Sequence, residues 1–526
     1  MPLRWKDALT PWVAAFCVSC VVATWLAGST QFHCYNADSL VPKLTSTMEW
    51  SFFYWHTDRN GQLLPFLAMP FTHPLTNLVV QQWLGTCAGV MAIYVLVAFS
   101  MSGRDWFASG TAAAACFLVG ATAFGHTLYL EGSQTYGTGM AFVLGGLLVA
   151  RRGTVRREDA VRIAVATMLM VVGLWVNLMV FLLAAVLVAV EAAVADDDAS
   201  AGIPPDIPWM RHLPRVPVAL RRWLGRAGVP LAVLVGSLVV SVVIARLCAA
   251  GGGENRVTFA FTPLFRYPDA VVTAVRTTCD LVVGPGGAML VMAAAIAAAW
   301  LEGRDAWPRS VTVLATAACG FFVLVAGMQW VTMNGSHPRY LLPATIAAYA
   351  SIGSLYVTVF KETLGTAFQA THHVVWARCA IAAVLPAVLL HLYGWPDPAA
   401  SRRAIASVGS PLAEKVVDSG VEFVAGDYWS LWPVVFKANL ILYERGETRR
   451  VWGLGCRASD TRHRWELDRH GGTATVAHLA RTPQPCGHSL DWIATHLDLE
   501  IGDREESVGD LELYRFRLRD DRIARR

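Results

Sequence analysis

The sequence predicts a polytopic α-helical membrane protein that ends in a small α/β domain. Three observations predict it. Of its 526 residues, 55% are hydrophobic and only 16% charged, against about 25% charged in an ordinary soluble protein. The charges crowd into short stretches between apolar runs long enough to span a bilayer. From Pro396 onward the composition changes, with frequent charges and apolar residues recurring at short periods.

The elements follow in order. Arg4 and Lys6 precede an apolar run over residues 11–29, too long for a signal-peptide core and followed by many more such runs, so it reads as a retained first span. An outer loop covers 30–76, and its end, GQLLPFLAMPF, is apolar but too short to span, which suits an interfacial or re-entrant segment. Spans two and three are expected at 78–101 and 106–125, with Arg104 and Asp105 between them inside. The short loop HTLYLEGSQTY carries Glu131 as its only charge. Span four ends near Ala150 at RRGTVRRED. The run 160–194 is too long for one span at 1.5 Å per residue, and Gly173, Trp175 and Asn177 near its middle predict two spans joined by a tight outer turn. A Pro/Arg-rich inner loop reaches Arg226, and span seven covers 229–248. The next loop, through Asp280, is amphipathic and outside. Spans eight to eleven are expected at 281–301, 311–333, 341–360 and 374–393.

Loop charge supports this alternation. Arg104, Arg151, Arg152, Arg156, Arg157, Arg211, Arg215, Arg221, Arg222, Arg304, Arg309 and Lys361 fall inside, whereas few basic residues fall outside. About eleven spans put the N-terminus in the cytoplasm and the C-terminal domain outside. The expected division is a membrane domain, 1–395, carrying the large loop 30–76, and an extracytoplasmic α/β domain, 396–526. In the latter, VEFVAG, VWGLG, TATVAHLA and LELYRFRL read as strands, HSLDWIATHL as a helix, and DYWSLWPVVFKANLIL as a helix broken at Pro433. Cys456 and Cys486 would pair in an oxidising compartment, or remain two buried thiols.

The loop from His33 to Pro65 holds Asp38, Lys43, Glu49, Asp58 and Arg59 among Trp50, Phe52, Phe53, Tyr54 and Trp55. Aromatics there would anchor at headgroup level, yet so many ionisable groups between two spans point to outer-surface chemistry. A second concentration is SHPRYLLPA, where His337, Arg339 and Tyr340 fall within four residues at an outer turn. Arg339 can snorkel to lipid phosphates or grip an anion bidentately at any relevant pH. No Walker or Rossmann fingerprint occurs, and no Cys/His spacing indicates structural zinc; the residues imply no cofactor and assign no divalent metal. A net charge of +4 does not point to nucleic acid.

An early acid in the first outer loop, a later outer R-Y-L-L-P turn, about eleven spans and an outside C-terminal domain together resemble the GT-C class of polytopic glycosyltransferases, such as protein mannosyltransferases and lipid A aminoarabinose transferases. The likeness covers the membrane region in architecture and rests on few, short motifs. It implies a sugar carried on a polyprenyl phosphate and passed to a glycan, lipid or protein acceptor of the cell envelope. Asp38 in YNADS matches the acid that serves as base or orients the acceptor, Glu131 a second acid in the next outer loop, and Arg339 the basic residue facing the lipid phosphate. Many members pair two acids directly after the first span. Here Ser39 follows Asp38, so the base is Asp38 or Asp58. Arg59 pairs with Asp58 or, with His337 and Tyr340, binds substrate. Asp38 and Arg339 are expected to face one outer cavity with Glu131 on its wall.

The chemistry is coherent on these residues. The sugar–phosphate bond is already activated, a carboxylate can take the acceptor's proton, and fixed positive charge can meet the departing phosphate. One displacement inverts the anomeric centre. Competing readings are an O-antigen polymerase or ligase, a transporter or flippase, for which Arg246 and Gln329 need placing, and a non-enzymatic envelope assembly protein. The Ala/Arg-rich composition fits a bacterial inner membrane.

Overall fold

The computed structural model describes residues 5–29, 37–53, 61–101, 105–130, 135–151, 157–194, 218–248, 260–302, 308–365, 383–407, 410–455, 471–479, 499–508 and 511–518. Within them the helices are α1 (Trp5–Ala27), α2 (Ala37–Thr47), α3 (Leu63–Ala68), α4 (Pro74–Ser100), α5 (Trp106–Gly120), α6 (Ala123–Leu130), α7 (Tyr136–Ala150), α8 (Arg157–Val176), α9 (Val180–Val194), α10 (Val218–Cys248), α11 (Tyr267–Leu281), α12 (Pro285–Leu301), α13 (Arg309–Ala326), α14 (Gln329–Met333) and α15 (Leu342–Gly365). There follow α16 (Ala383–Tyr393), α17 (Pro398–Ser407), α18 (Ser410–Asp418) and α19 (Tyr428–Glu444). Five segments among the described residues are long and apolar enough to cross a membrane: Leu9–Ala27, Pro74–Ser100, Arg226–Cys248, Arg309–Ala326 and Pro338–Thr363. Several apolar helices are shorter, and eleven crossings remain an expectation. The chain forms two compact units, one of Met1–Leu26, Gly85–Ile244 and Val257–Trp395, the other of Ala27–Leu84, Ala245–Arg256 and Pro396–Arg526.

The first unit is helical. The run 160–194 does break where the sequence predicts. Asn177 closes α8 by donating its N–H to the Gly173 carbonyl, and its Oδ1 accepts from Met179 N at 3.0 Å, so one amide side chain caps the turn into α9. α7 and α8 pack through small residues: a Cβ added at Gly173 would lie 2.8 Å from the Gly139 carbonyl, and one at Gly146 would lie 2.8 Å from that of Ala166. Close backbone approach of this kind is how helices associate when lipid offers no hydrophobic contrast. At the charged end of the unit, Glu191 Oε1 accepts from Arg151 Nη2 at 2.6 Å and Arg309 Nη2 at 2.8 Å, while Arg151 Nη1 also donates to the Phe99 carbonyl. The Glu191 carboxylate thus ties α9 to the ends of α7 and α13, and Arg151 adds the end of α4.

Two expected spans are interrupted at the opposite end. α5 stops at Gly120 instead of running on, because Ala121 is extended and bridges Val283. α13 stops at Ala326, because Gly327 packs under the Tyr267 ring and Met328 bridges Phe261. α16 is tethered to α6 by a histidine. His126 Nε2 lies 3.2 Å from the Phe117 carbonyl and can only donate to it, which makes Nδ1 the acceptor for the Tyr393 hydroxyl.

The second unit joins loop and C-terminal residues around one core. Its strands are β1 (Phe423–Gly426), β2 (Trp452–Gly455), β3 (Thr473–Leu479), β4 (Leu499–Val508) and β5 (Leu511–Leu518), in the order β2-β1-β3-β5-β4. β1 pairs in parallel with β2 and β3, and β5 runs antiparallel to β3 and β4. Four strands match those read from the sequence. The edge strand β4 was not foreseen: LEIGDREESV is charged, and register shifts at Arg504 hide its alternation. The helix α19 runs on through Pro433, which sits early in the helix and is accommodated without a break. The segment read as a helix around Trp492, and Cys456 and Cys486, lie outside the described residues. Leu40, Val41 and Leu44 of α2 share one hydrophobic cluster with Val416, Phe423, Trp432 and Phe516.

Candidate functional site

Asp38 stands in the first turn of α2, in the second unit. α2 has a polar sequence, ADSLVPKLTST, yet every residue from Ala37 to Ser46 is buried. That arrangement requires its polar groups to be satisfied internally. Thr45 Oγ1 donates to the Val41 carbonyl and Ser46 Oγ to that of Pro65, at 2.9 and 2.8 Å. Asn77 Nδ2 donates to Ser46 Oγ at 2.8 Å, and Gln81 Nε2 to Asn77 Oδ1 at 2.7 Å. Pro42 offers no N–H to the Asp38 carbonyl one turn back.

The Asp38 carboxylate, in a residue only 8% exposed, accepts a hydrogen bond on Oδ1 from the Tyr428 hydroxyl at 2.9 Å. Tyr428 is the first residue of α19, and its position is set by a cap. Asp427 Oδ2 accepts from the backbone N–H groups of Trp429 and Ser430 at 3.1 and 3.2 Å. Lys43, on the same helix as Asp38, is among the largest fully buried side chains. Arg450 closes the far end of α2 by donating to the Met48 carbonyl. The acid therefore sits oriented in a buried, polar, well-packed setting.

His337, Arg339 and Tyr340 lie in the first unit, in a turn of unusual backbone. Gly335 and Ser336 both have positive φ, 65° and 51°, and Ser336 N–H returns to the Val331 carbonyl at 2.9 Å. A left-handed serine is uncommon; it redirects the chain into the 3-10 turn Pro338–Leu341. His337 caps that turn, its Nδ1 accepting from Arg339 N at 3.3 Å. Arg339 Nη2 donates to the Tyr340 hydroxyl at 2.7 Å, and the guanidinium lies 4.8 Å from the Tyr340 ring centroid. Tyr340 in turn stands edge-on to Trp330, with centroids 4.2 Å apart. The guanidinium is thus half-buried and held against the Tyr340 ring.

The structure brings together His337, Arg339 and Tyr340, and it joins Asp38 to a residue that sequence reasoning did not single out. Tyr428 had no signal beyond its place after a capping Asp, and the burial of Lys43 had none at all. Asp58, Arg59 and Glu131 lie outside the described residues. Arg246 and Gln329 fall at helix ends, exposed. Among the described residues no group of three His, Cys, Asp or Glu side chains could hold a metal ion.

No sequence family matches the chain, and no curated protein matches it. Among solved structures it is similar to the archaeal oligosaccharyltransferase AglB from Archaeoglobus fulgidus, in complex with an inhibitory peptide and a dolichol-phosphate. The identity is 11% over 90% of this chain and 70% of that one, with a TM-score of 0.36. The apo form of the Archaeoglobus fulgidus oligosaccharyltransferase is similar at 11% identity over 88% and 69% of the two chains, with a TM-score of 0.35. Likeness at that level carries neither an activity nor a site to this chain.

Proposed function

We propose that this chain is a membrane glycosyltransferase that moves a sugar from a polyprenyl-phosphate carrier to a cell-envelope acceptor at the outer face of a bacterial inner membrane. In this reading the N-terminus is cytoplasmic and residues 396–526 lie outside. The observation that carries the proposal is the buried Asp38 carboxylate oriented by Tyr428. An acid in the first loop, held by the helix that opens after the capping Asp427, has the fixed position that general-base work needs.

In the reaction, the acceptor hydroxyl oxygen bonds to the anomeric carbon as its proton passes to Asp38. The bond from that carbon to the phosphate oxygen breaks, its electron pair leaving with the polyprenyl phosphate. A single displacement inverts the anomeric centre. Arg339 is the phosphate ligand; its guanidinium meets the growing charge on the leaving group. Arg59, His337 and Tyr340 are the further substrate-binding residues, and Glu131 is a second catalytic acid. Asp58 replaces Asp38 as base if the following test excludes Asp38.

The test uses the full chain in nanodiscs with a panel of polyprenyl-phosphate sugars, reading release of polyprenyl phosphate. Asp38→Asn should lower the transfer rate by about 10²–10⁴-fold and leave carrier binding largely intact. Arg339→Ala should weaken carrier binding as well as turnover, and Arg339→Lys should restore only part, since an ammonium lacks the fork. Near-normal transfer by folded Asp38→Asn would move the base to Asp58, and release from no donor would end the transferase reading.

A further inference from the structure

The helix α11 has three faces. Ala270, Ala274 and Thr278 are buried against the first unit. One residue register away, Asp269, Thr273, Arg276 and Asp280 form a polar exposed stripe. Between the two, Pro268, Val272, Val275 and Cys279 form a second exposed stripe, which is apolar. Both stripes have the i, i+4, i+7, i+11 spacing of a single helix face. The 3-10 turn Leu264–Arg266 extends the apolar stripe: Leu264 is 86% and Phe265 76% exposed, and Val272 is 62% exposed. A soluble surface does not gather side chains in this way.

The anchors of α11 fix its direction. At its start, the Tyr267 ring packs on Gly327 and its hydroxyl donates to the Val323 carbonyl at 2.6 Å, at the end of α13. Just past its end, Thr122 N–H donates to the Val282 carbonyl at 2.8 Å and Gly284 N–H to the Gly120 carbonyl at 2.9 Å, at the end of α5. Those two helix ends lie on one side of the unit. The other ends are the charged ones, where Arg309 meets Glu191 and Asp105 pairs with Lys361 of α15. α11 therefore lies across the helix ends rather than along them. Immediately after it, α12 begins, with Met289, Met292 and Ile296 at 66%, 62% and 72% exposure on the apolar surface of a hydrophobic helix. Exposed apolar side chains on α12 thus follow the apolar stripe of α11 directly in the chain.

We propose that α11 is an interfacial helix, seated at the headgroup–acyl boundary of the leaflet on that side, with Leu264, Phe265, Val272 and Val275 in lipid. One face meets protein, one lipid and one water, which is the division an in-plane helix requires. The occupant of the apolar stripe is the bilayer. α11 also packs against the Pro338–Leu341 turn, so it holds Arg339 at the depth of lipid phosphates. That consequence for catalysis rests on the phosphate role assigned to Arg339; the seat in the membrane does not.

The experiment places an environment-sensitive fluorescent amino acid at position 272, 273, 275 or 276 of the full chain in phosphatidylcholine–phosphatidylglycerol nanodiscs. Brominated acyl chains and aqueous iodide serve as quenchers. Brominated lipid should quench the probes at 272 and 275 several-fold more than those at 273 and 276, with iodide showing the reverse order. Equal iodide quenching at all four positions would overturn the proposal by putting the stripe in water. Access by neither quencher at 272 and 275 would overturn it by putting protein, such as a second copy of the chain, on the stripe. Because the readout is immersion and not turnover, it separates this inference from the transferase assignment.

Discussion

Asp38 and His478 show how much a single residue depends on its burial. The Tyr428 hydroxyl donates to a carboxylate in a site largely closed to water, and hydrogen bonds to charged groups contribute about 1.5–3 kcal/mol. Tyr428→Phe should lower the stability of the second unit by about that much, read as an earlier fluorescence melt in detergent. A wild-type melt would show that the bond is not formed in solution. His478 is a different case. Burial holds its imidazole below the ordinary histidine range, although Glu512, with Oε2 3.8 Å from Nδ1, pulls the other way. Between the folded value and the ordinary one of about 6.5, the unfolded chain binds the proton and the folded chain does not. Stability therefore falls as pH drops through the ordinary histidine range and is retained above it. His478→Gln should flatten the melting temperature between pH 8 and pH 5.5, whereas an unchanged slope would assign the dependence to other groups. Of these features, the sequence offered Asp38 by its place in a loop. It offered no sign of Tyr428, because the contact joins residues 390 positions apart.

The helix pair α7–α8 displays the same dependence one level up. Gly145 and Gly146 are neighbours in α7, but a Cβ at Gly145 would meet nothing within 4 Å, while one at Gly146 would meet Met170 Cγ at 2.7 Å and the Ala166 carbonyl at 2.8 Å. Gly145→Ala should stabilise by about 0.5–1 kcal/mol through helix entropy. Gly146→Ala gains the same entropy but forces the two backbones apart, at a cost of about 1–3 kcal/mol, and should shorten the half-life of the solubilised protein. Equal effects from the two variants would refute the packing. Hydropathy locates both helices and predicts the break between α8 and α9, since Asn177 is a poor residue for the middle of a span. It cannot tell which of two adjacent glycines faces a neighbour, because the apolar pattern in lipid has no inside and outside.

For the whole molecule, the second unit raises the question of what residues 396–526 are needed for. Its core contains Leu40, Val41 and Leu44 from the first loop beside Val416, Phe423 and Trp432 from the C-terminal part. A chain ending at Trp395 would take Tyr428 from Asp38 and the Val416, Phe423 and Trp432 side of the shared core from α2. Limited proteolysis should then cleave the segment 37–47 in the truncated chain and spare it in the full one. Equal protection in both would mean that the loop folds without the C-terminal part.

Composition and hydropathy by themselves determined the class of this protein: many apolar helices and a mixed sheet at the end, with four of its strands legible from alternation and bounding glycines. Those signals are local, carried by transfer free energy along a helix or strand. Tertiary structure alone decided that the first loop and the C-terminal part share one hydrophobic core, that Tyr428 holds Asp38, that Ala121 and Gly327 interrupt the expected spans, and that α11 lies across the helix ends. Each of these depends on contacts between residues far apart in the chain. Such contacts leave no period in the sequence, because the geometry that makes them arises only after the helices have packed.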